Sequence, residues 1–165
     1  MIYPMPRKAA NSGRILIVDD DERQRNALAA MLSDDHFETQ FAADGQEALE
    51  RLTTFNADVI VTDLVMPRMD GFELLKHLHK HGDLTPAIVL TGFGSMEKAL
   101  TAVHDLKAFW YLEKPVDPRA FKILLERAIR HKRALQRTGE LERDLRVRGV
   151  LGDMVGASPA MQEIF

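Results

Sequence analysis

Cysteine is absent from this chain of 165 residues, which excludes a disulfide framework and any thiolate metal site. Glycine and proline, at 10 and 7, are too scarce for a collagenous or low-complexity chain. A composition of 45% hydrophobic and 28% charged residues likewise excludes a wholly disordered one. Long apolar runs are missing too: stretches such as Ile15 to Val18 and Val59 to Val61 are strand-length, far short of a membrane span. Met1 to Ser12 carries two prolines and two basic residues but no apolar centre, so residues 1–13 read as a disordered leader rather than a secretory signal. What is left is a soluble, intracellular and cytoplasmic protein. At 18.7 kDa it has the size of one domain with an appendage, able to bury roughly 70% of its unfolded surface.

The formal net charge of −3 conceals two electrostatic halves. Residues 119–148 hold ten Lys and Arg against four Asp and Glu, a local +6 that leaves −9 for the rest of the chain. A basic helical segment is compatible with a nucleic-acid contact, but a solvated helix face explains it equally.

From Arg14 to about Arg133 short apolar runs alternate with amphipathic stretches, the pattern of repeated strand–helix units around a parallel sheet. The expected strands are Arg14–Asp19, Phe37–Ala42, Ala57–Thr62, Ala87–Thr91 and Ala108–Leu112. The first, third and fourth are apolar without alternation, as strands covered on both faces must be, whereas the second alternates and suits an edge. Helix faces are predicted at Leu28/Met31/Leu32, Ala48/Leu49/Leu52, Leu74/Leu75/Leu78, Met96/Leu100/Val103 and Phe121/Leu124/Leu125/Ala128/Ile129. The last follows Pro118, with Asp117 as its N-cap. Turns are expected at Asp44-Gly45, Asp70-Gly71, Gly82-Asp83 and Gly92-Phe93-Gly94. Beyond Ile129 the weak heptad Ala128, His131, Leu135, Thr138, Glu142 and Leu145 fits either a coiled-coil linker or a solvated helix over residues 134–150. Gly149 and Gly152 end it, and a new helix opens at Ser158-Pro159.

Parallel sheets place ligands beyond the carboxyl ends of their strands. There the chain gathers Asp19-Asp20-Asp21, Asp63, Thr91 and Glu113-Lys114-Pro115. Carboxylates held this close repel unless a cation offsets them, and oxygen-only ligation with room for water suits Mg²⁺. Helix capping accounts for one or two of the three consecutive acids, but not for Asp63 and Lys114. Asp63, alone at the end of the central strand, is the expected nucleophile toward a phosphoryl group. Asp19 and Asp20 hold the ion, and Lys114 and Thr91 bind phosphoryl oxygens by moving toward them.

These residues resemble the receiver domains of two-component response regulators. The resemblance is carried by Ile15-Leu16-Ile17-Val18-Asp19-Asp20-Asp21, by Asp63-Leu64-Val65-Met66-Pro67-Arg68-Met69-Asp70-Gly71, by Leu90-Thr91-Gly92 and by Leu112-Glu113-Lys114-Pro115. It covers residues 14–133. It implies a doubly wound, flavodoxin-like α/β fold of five parallel strands in the order 2-1-3-4-5, with a C-terminal helical extension. It also implies that Asp63 accepts phosphate from a sensor histidine kinase, and that Asp19, Asp20, Asp63 and the Val65 backbone carbonyl ligate Mg²⁺. Thr91 and Tyr111 would form the switch pair, and Lys114-Pro115 a cis bond. The chain departs from the family pattern at Lys107, where a glycine is usual, and in one extra residue between Thr91 and Lys114. Gly156-Ala157-Ser158-Pro159-Ala160-Met161-Gln162 resembles the opening of the ATPase domain of sigma-54-dependent activators, so residues 151–165 are expected to be its truncated start. No phosphate-binding loop follows, and the chain itself is expected not to be an enzyme beyond its own phosphorylation and dephosphorylation. The resemblance implies a homodimer through the fourth helix, fifth strand, fifth helix and linker, whose state phosphorylation shifts. The full-length protein would engage DNA and sigma-54 RNA polymerase.

Other features have plainer readings. His77 and His81 lie four apart on one helix but lack a third ligand, so a solvated face is expected. Phe109 and Trp110 read as packing and rim residues. With Val65 and Phe93 beside the site, nothing orients an attacking water, and a slowly hydrolysed acyl phosphate is expected. A haloacid-dehalogenase-like phosphohydrolase is the alternative function, but it makes the first-strand acid the nucleophile, has Arg23 where a Thr is usual and leaves Asp63 and Met66-Pro67 without a role.

Overall fold

The computed structural model describes residues 13–33, 37–92 and 96–147, with side chains to residue 138. Residues 1–12 of the leader, Phe93 and Gly94, Gly149 and Gly152, and residues 151–165 lie outside the described residues, whereas Gly13 is described and buried. The strands are β1 (Arg14–Val18), β2 (Glu38–Ala42), β3 (Val59–Asp63), β4 (Ala87–Thr91) and β5 (Trp110–Glu113). The helices are α1 (Glu22–Met31), α2 (Gly45–Leu52), α3 (Gly71–Lys80), α4 (Met96–His104) and α5 (Pro118–Val147). All strand pairs are parallel, in the order β2-β1-β3-β4-β5, so this is a doubly wound, flavodoxin-like α/β fold. Two compact units divide between Lys132 and Arg133. No helix among the described residues is long and apolar enough to cross a membrane.

Strand alternation sorts the core into two layers. Ile15, Ile17, Val59, Val61, Ile88 and Leu90 pack with Leu28 and Leu32 at α1 and with Phe121, Leu125, Ala128 and Ile129 of α5. Leu16, Val18, Ile60 and Val89 face the other way, toward Ala48 of α2, Leu74, Leu75 and Leu78 of α3 and Ala102 of α4. The three strands expected to be central are internal, and β2 is an edge. β3 starts two residues later than predicted and takes in Asp63; just before it, the Asp58 side chain accepts from Arg14 N at 2.9 Å. β5 likewise starts at Trp110 rather than Ala108.

One predicted face is right only at Val103, which packs against the core. In α4 the sheet is covered chiefly by Ala99 and Ala102, both fully buried, while Met96 and Leu100 are 40% and 49% exposed. Small side chains let that helix approach the sheet closely, and the larger Met and Leu, weighted more heavily in a hydrophobic pattern, point outward. Asp44-Gly45 and Asp70-Gly71 are helix starts rather than free turns. Asp44 Oδ1 accepts from Glu47 N at 2.9 Å as N-cap of α2, while Glu47 Oε1 reaches back past the cap to accept from Ala43 N at 3.1 Å, and Asp70 Oδ1 accepts from Glu73 N at 2.9 Å. Asp117 caps α5 as expected, accepting from Ala120 N at 3.1 Å.

Lys107 has φ +61°, the left-handed region that costs a side-chain-bearing residue about 1–2 kcal/mol. Lys107→Gly is therefore expected to raise stability by about 1 kcal/mol, seen as a higher denaturant midpoint at unchanged slope. An unchanged or lower midpoint would show that the lysine stem repays its backbone conformation.

Candidate phosphoacceptor site

The site is assembled from strand ends. Asp19 immediately follows β1, Asp63 ends β3, Thr91 ends β4 and Lys114 immediately follows β5. Asp20 and Asp21 continue from Asp19, and Asp21 serves as N-cap of α1, accepting from Arg23 N at 2.9 Å. The capping reading thus accounts for Asp21 and leaves Asp19, Asp20 and Asp63, whose carboxylate oxygens lie within 4.8 Å of one another.

The three acids have different surroundings. Asp19 is 1% exposed; its Oδ1 accepts from Asp21 N at 2.9 Å, and its Oδ2 is buried without a hydrogen-bond partner. Burial pushes the Asp19 carboxyl above its ordinary value. The Asp21 N–H and the Lys114 charge pull it down, while the Asp63 and Asp20 charges push it up again. Asp63 is more open: its Oδ1 accepts from its neighbour Leu64 N at 2.8 Å, and its Oδ2 from Lys114 Nζ at 3.0 Å. Asp20 is exposed. A buried carboxylate oxygen without a hydrogen-bond partner, beside two more acids, is the donor set of a hard divalent cation, so the residues present fit Mg²⁺.

Lys114 is the positive counterpart. Its Nζ lies 3.0 Å from Asp63 Oδ2 and 3.6 Å from Asp19 Oδ2, and its backbone N–H donates to Thr91 O at 2.8 Å. Thr91 is buried. Tyr111 is half-buried and pairs in register with Val89, two residues before Thr91, so both lie on the sheet face toward α2–α4. The Tyr111 ring stacks on Trp110, which is 47% exposed. Val65 follows in the loop after β3 with its side chain turned to solvent, and Lys114-Pro115 is cis. His77 and His81 stack on each other at 4.1 Å with no third ligand among the described residues.

Two features escaped the sequence reading. Gln24 Oε1, in the first turn of α1, accepts from Lys114 Nζ at 2.5 Å. Its one legible signal is that it lies three residues after the cap that opens beside the site. The second is the contact of Arg68, at φ +62°, with the buried Asp44, whose Oδ2 accepts from Arg68 Nε at 2.7 Å. Burial pushes the Asp44 carboxyl up, but the Glu47 N–H and the Arg68 guanidinium outweigh it and hold it below its ordinary value.

The backbone at Asp63 is tight. A Cβ on Gly71 would collide with the Asp63 carbonyl oxygen and lie 2.9 Å from Leu64 Cα. Because backbone cannot rotate away as a side chain can, Gly71→Ala is expected to cost about 3 kcal/mol, read as a lowered denaturant midpoint. A midpoint within the error of wild type would show that the loop yields freely.

An open parallel sheet with an acid cluster and a lysine at its carboxyl edge defines a class: α/β proteins whose binding site lies at the topological switch point. Within that class the chain belongs to the response regulator receiver domain family, whose model matches residues 15–126. It is 35% identical over 153 residues to the DNA-binding transcriptional regulator NtrC of Salmonella typhimurium, covering 93% of this chain and 32% of that protein. It is 33% identical over 151 residues to the regulatory protein AtoC of Escherichia coli, covering 92% and 32%. The solved receiver domain of Francisella response regulator 1452 matches with TM-score 0.68 and 32% identity, over 73% of this chain and 98% of that one. The chain spans about a third of the length of the two curated relatives.

Proposed function

We propose that Asp63 is the phosphoacceptor of a receiver domain, phosphorylated by a sensor histidine kinase. One observation carries this reading: Asp63 Oδ2 sits 3.0 Å from Lys114 Nζ, beside an acid whose buried oxygen lacks a hydrogen-bond partner. The Asp63 carboxylate attacks the donor phosphorus, an O–P bond forms as the P–N bond of the kinase phosphohistidine breaks, and the leaving imidazole nitrogen keeps the bond's electron pair. Asp19, Asp20, Asp63 and the Val65 carbonyl would hold Mg²⁺, which when bound neutralises phosphoryl oxygens. Lys114 meets another of those oxygens, and the Thr91 hydroxyl a third, with Tyr111 following Thr91 in the switch.

The haloacid-dehalogenase alternative makes Asp19 the nucleophile, and its burial at 1% exposure speaks against it. We read residues 14–133 as the receiver, 134–150 as a helical linker and 151–165 as the truncated start of an ATPase domain. The full-length protein is then a cytoplasmic sigma-54-dependent activator bound to DNA and sigma-54 RNA polymerase. Exposed Met96 and Leu100 of α4, Trp110 of β5 and Ile123 of α5 support a homodimer through those elements.

Intact mass after incubation with acetyl phosphate and Mg²⁺ tests the reading, followed by borohydride reduction to locate the acyl phosphate. One phosphoryl group on Asp63, formed only with the metal, is expected. No adduct, or an adduct on another residue, overturns it.

A further inference from the structure

Lysine is a poor fixed reference point by itself. Its ammonium rides on four rotatable bonds, and reaching a phosphoryl oxygen in useful geometry requires those bonds to be restrained. The three donors of the Lys114 ammonium face Asp63 Oδ2 at 3.0 Å, Asp19 Oδ2 at 3.6 Å and Gln24 Oε1 at 2.5 Å. The shortest of these contacts goes to the neutral group.

That neutrality has a physical consequence. A carboxylate at residue 24 would also hold the ammonium, but it would add a further negative charge to a cluster that already has three and would repel the incoming phosphoryl oxygens. An amide oxygen restrains the lysine without either penalty. Gln24 also reaches Lys114 from a different element than Asp63 does, so the ammonium is bracketed between α1 and β3. The α1 end is itself pinned: Asp19 Oδ1 accepts from Asp21 N at 2.9 Å, Asp21 Oδ1 from Arg23 N at 2.9 Å, and the Asp19 carbonyl from Arg25 Nη1 at 2.7 Å.

We propose that Gln24 is a positioning residue that holds the Lys114 ammonium at the place where phosphoryl transfer to Asp63 needs it. The proposal rests on the phosphoacceptor reading above. When Asp63 carries the phosphoryl group, Gln24 Oε1 keeps one of the three N–H donors while another turns to the phosphoryl oxygen.

The test uses the whole chain with Gln24→Met and Gln24→Leu, which keep bulk and remove the acceptor. The rate of Asp63 phosphorylation by acetyl phosphate at saturating Mg²⁺ is expected to fall about tenfold in both. A second readout is independent of turnover. The ¹⁵N-detected Lys114 ammonium signal, slow to exchange when its protons are held, is expected in the wild type and lost or broadened in both variants. Melting temperatures close to wild type show that the half-buried side chain is not acting through the fold. Phosphorylation within twofold of wild type, or an unchanged ammonium signal, overturns the role of Gln24. If the wild type takes up no phosphoryl group, the phosphoacceptor reading fails instead, and the two failures are told apart.

Discussion

Asp63→Asn is expected to give a folded protein that accepts no phosphoryl group from acetyl phosphate, whatever the Mg²⁺ concentration. The amide oxygen can take over the 2.8 Å hydrogen bond from Leu64 N–H, so the end of β3 keeps its local geometry. The amide nitrogen then faces Lys114 Nζ where Oδ2 accepted at 3.0 Å, and two donors oppose each other. Lys114 retains Asp19 and Gln24 as neighbours. One attraction is lost and one carboxylate repulsion removed, so stability should change by only about 1 kcal/mol. Chemistry changes far more, because an amide has no anionic oxygen to attack phosphorus. Intact mass of both proteins under identical conditions makes the comparison. An adduct persisting in the variant would move the acceptor to another acid.

Asp19→Asn should pull stability and function in opposite directions. The wild-type oxygen Oδ2 is buried without a hydrogen-bond partner, and the Lys114 ammonium at 3.6 Å offsets only part of the cost of burying its charge, so Asp19→Asn is expected to stabilise the metal-free protein by about 1 kcal/mol where the wild-type carboxyl is ionised. Losing that carboxylate should weaken Mg²⁺ by at least about 100-fold, beyond what removing a supporting neighbour costs. The gain has a pH signature. Burial first, and the neighbouring acids after it, raise the folded value above the ordinary 3.8, so the native state holds this proton more tightly than the unfolded chain. The contribution is complete below the unfolded value and disappears as pH rises through the folded one. Wild type should lose stability across that window while the Asp19→Asn protein does not. Adding Mg²⁺ at ten times its Kd should return about 1.4 kcal/mol to the wild type alone. Denaturant titrations over pH, with and without Mg²⁺, check all three parts; parallel curves for the two proteins would refute the assignment.

Much of this molecule could be read along the chain. Ile15–Val18, Val59–Val61 and Ala87–Leu90 are apolar at successive positions because β1, β3 and β4 are covered on both faces, a signal written in the amino-acid order itself. The strand-end acids and Lys114 were legible for a similar reason, since charge at the mouth of a buried sheet is costly unless a partner or an ion offsets it. The face of α4 was not, because Ala99 and Ala102 win the buried place by being small, a matter of helix-to-sheet distance that a hydrophobicity pattern does not contain. Gln24 was missed because its partner lies 90 residues away. Arg68 was missed because its reach to Asp44 depends on a left-handed backbone in a turn that sequence leaves undefined.

The bond between Arg68 and Asp44 gives the molecule a second acid that answers protons in the reverse sense. Depressed by its partners, Asp44 stays ionised until the medium is more acidic than an ordinary carboxyl group requires. On acidification the Asp19 carboxyl therefore takes up its proton before Asp44 does, with the guanidinium clasp on Asp44 still in place. The loop from Leu64 to Asp70 keeps its mooring on the β2 side while the floor beside it becomes neutral.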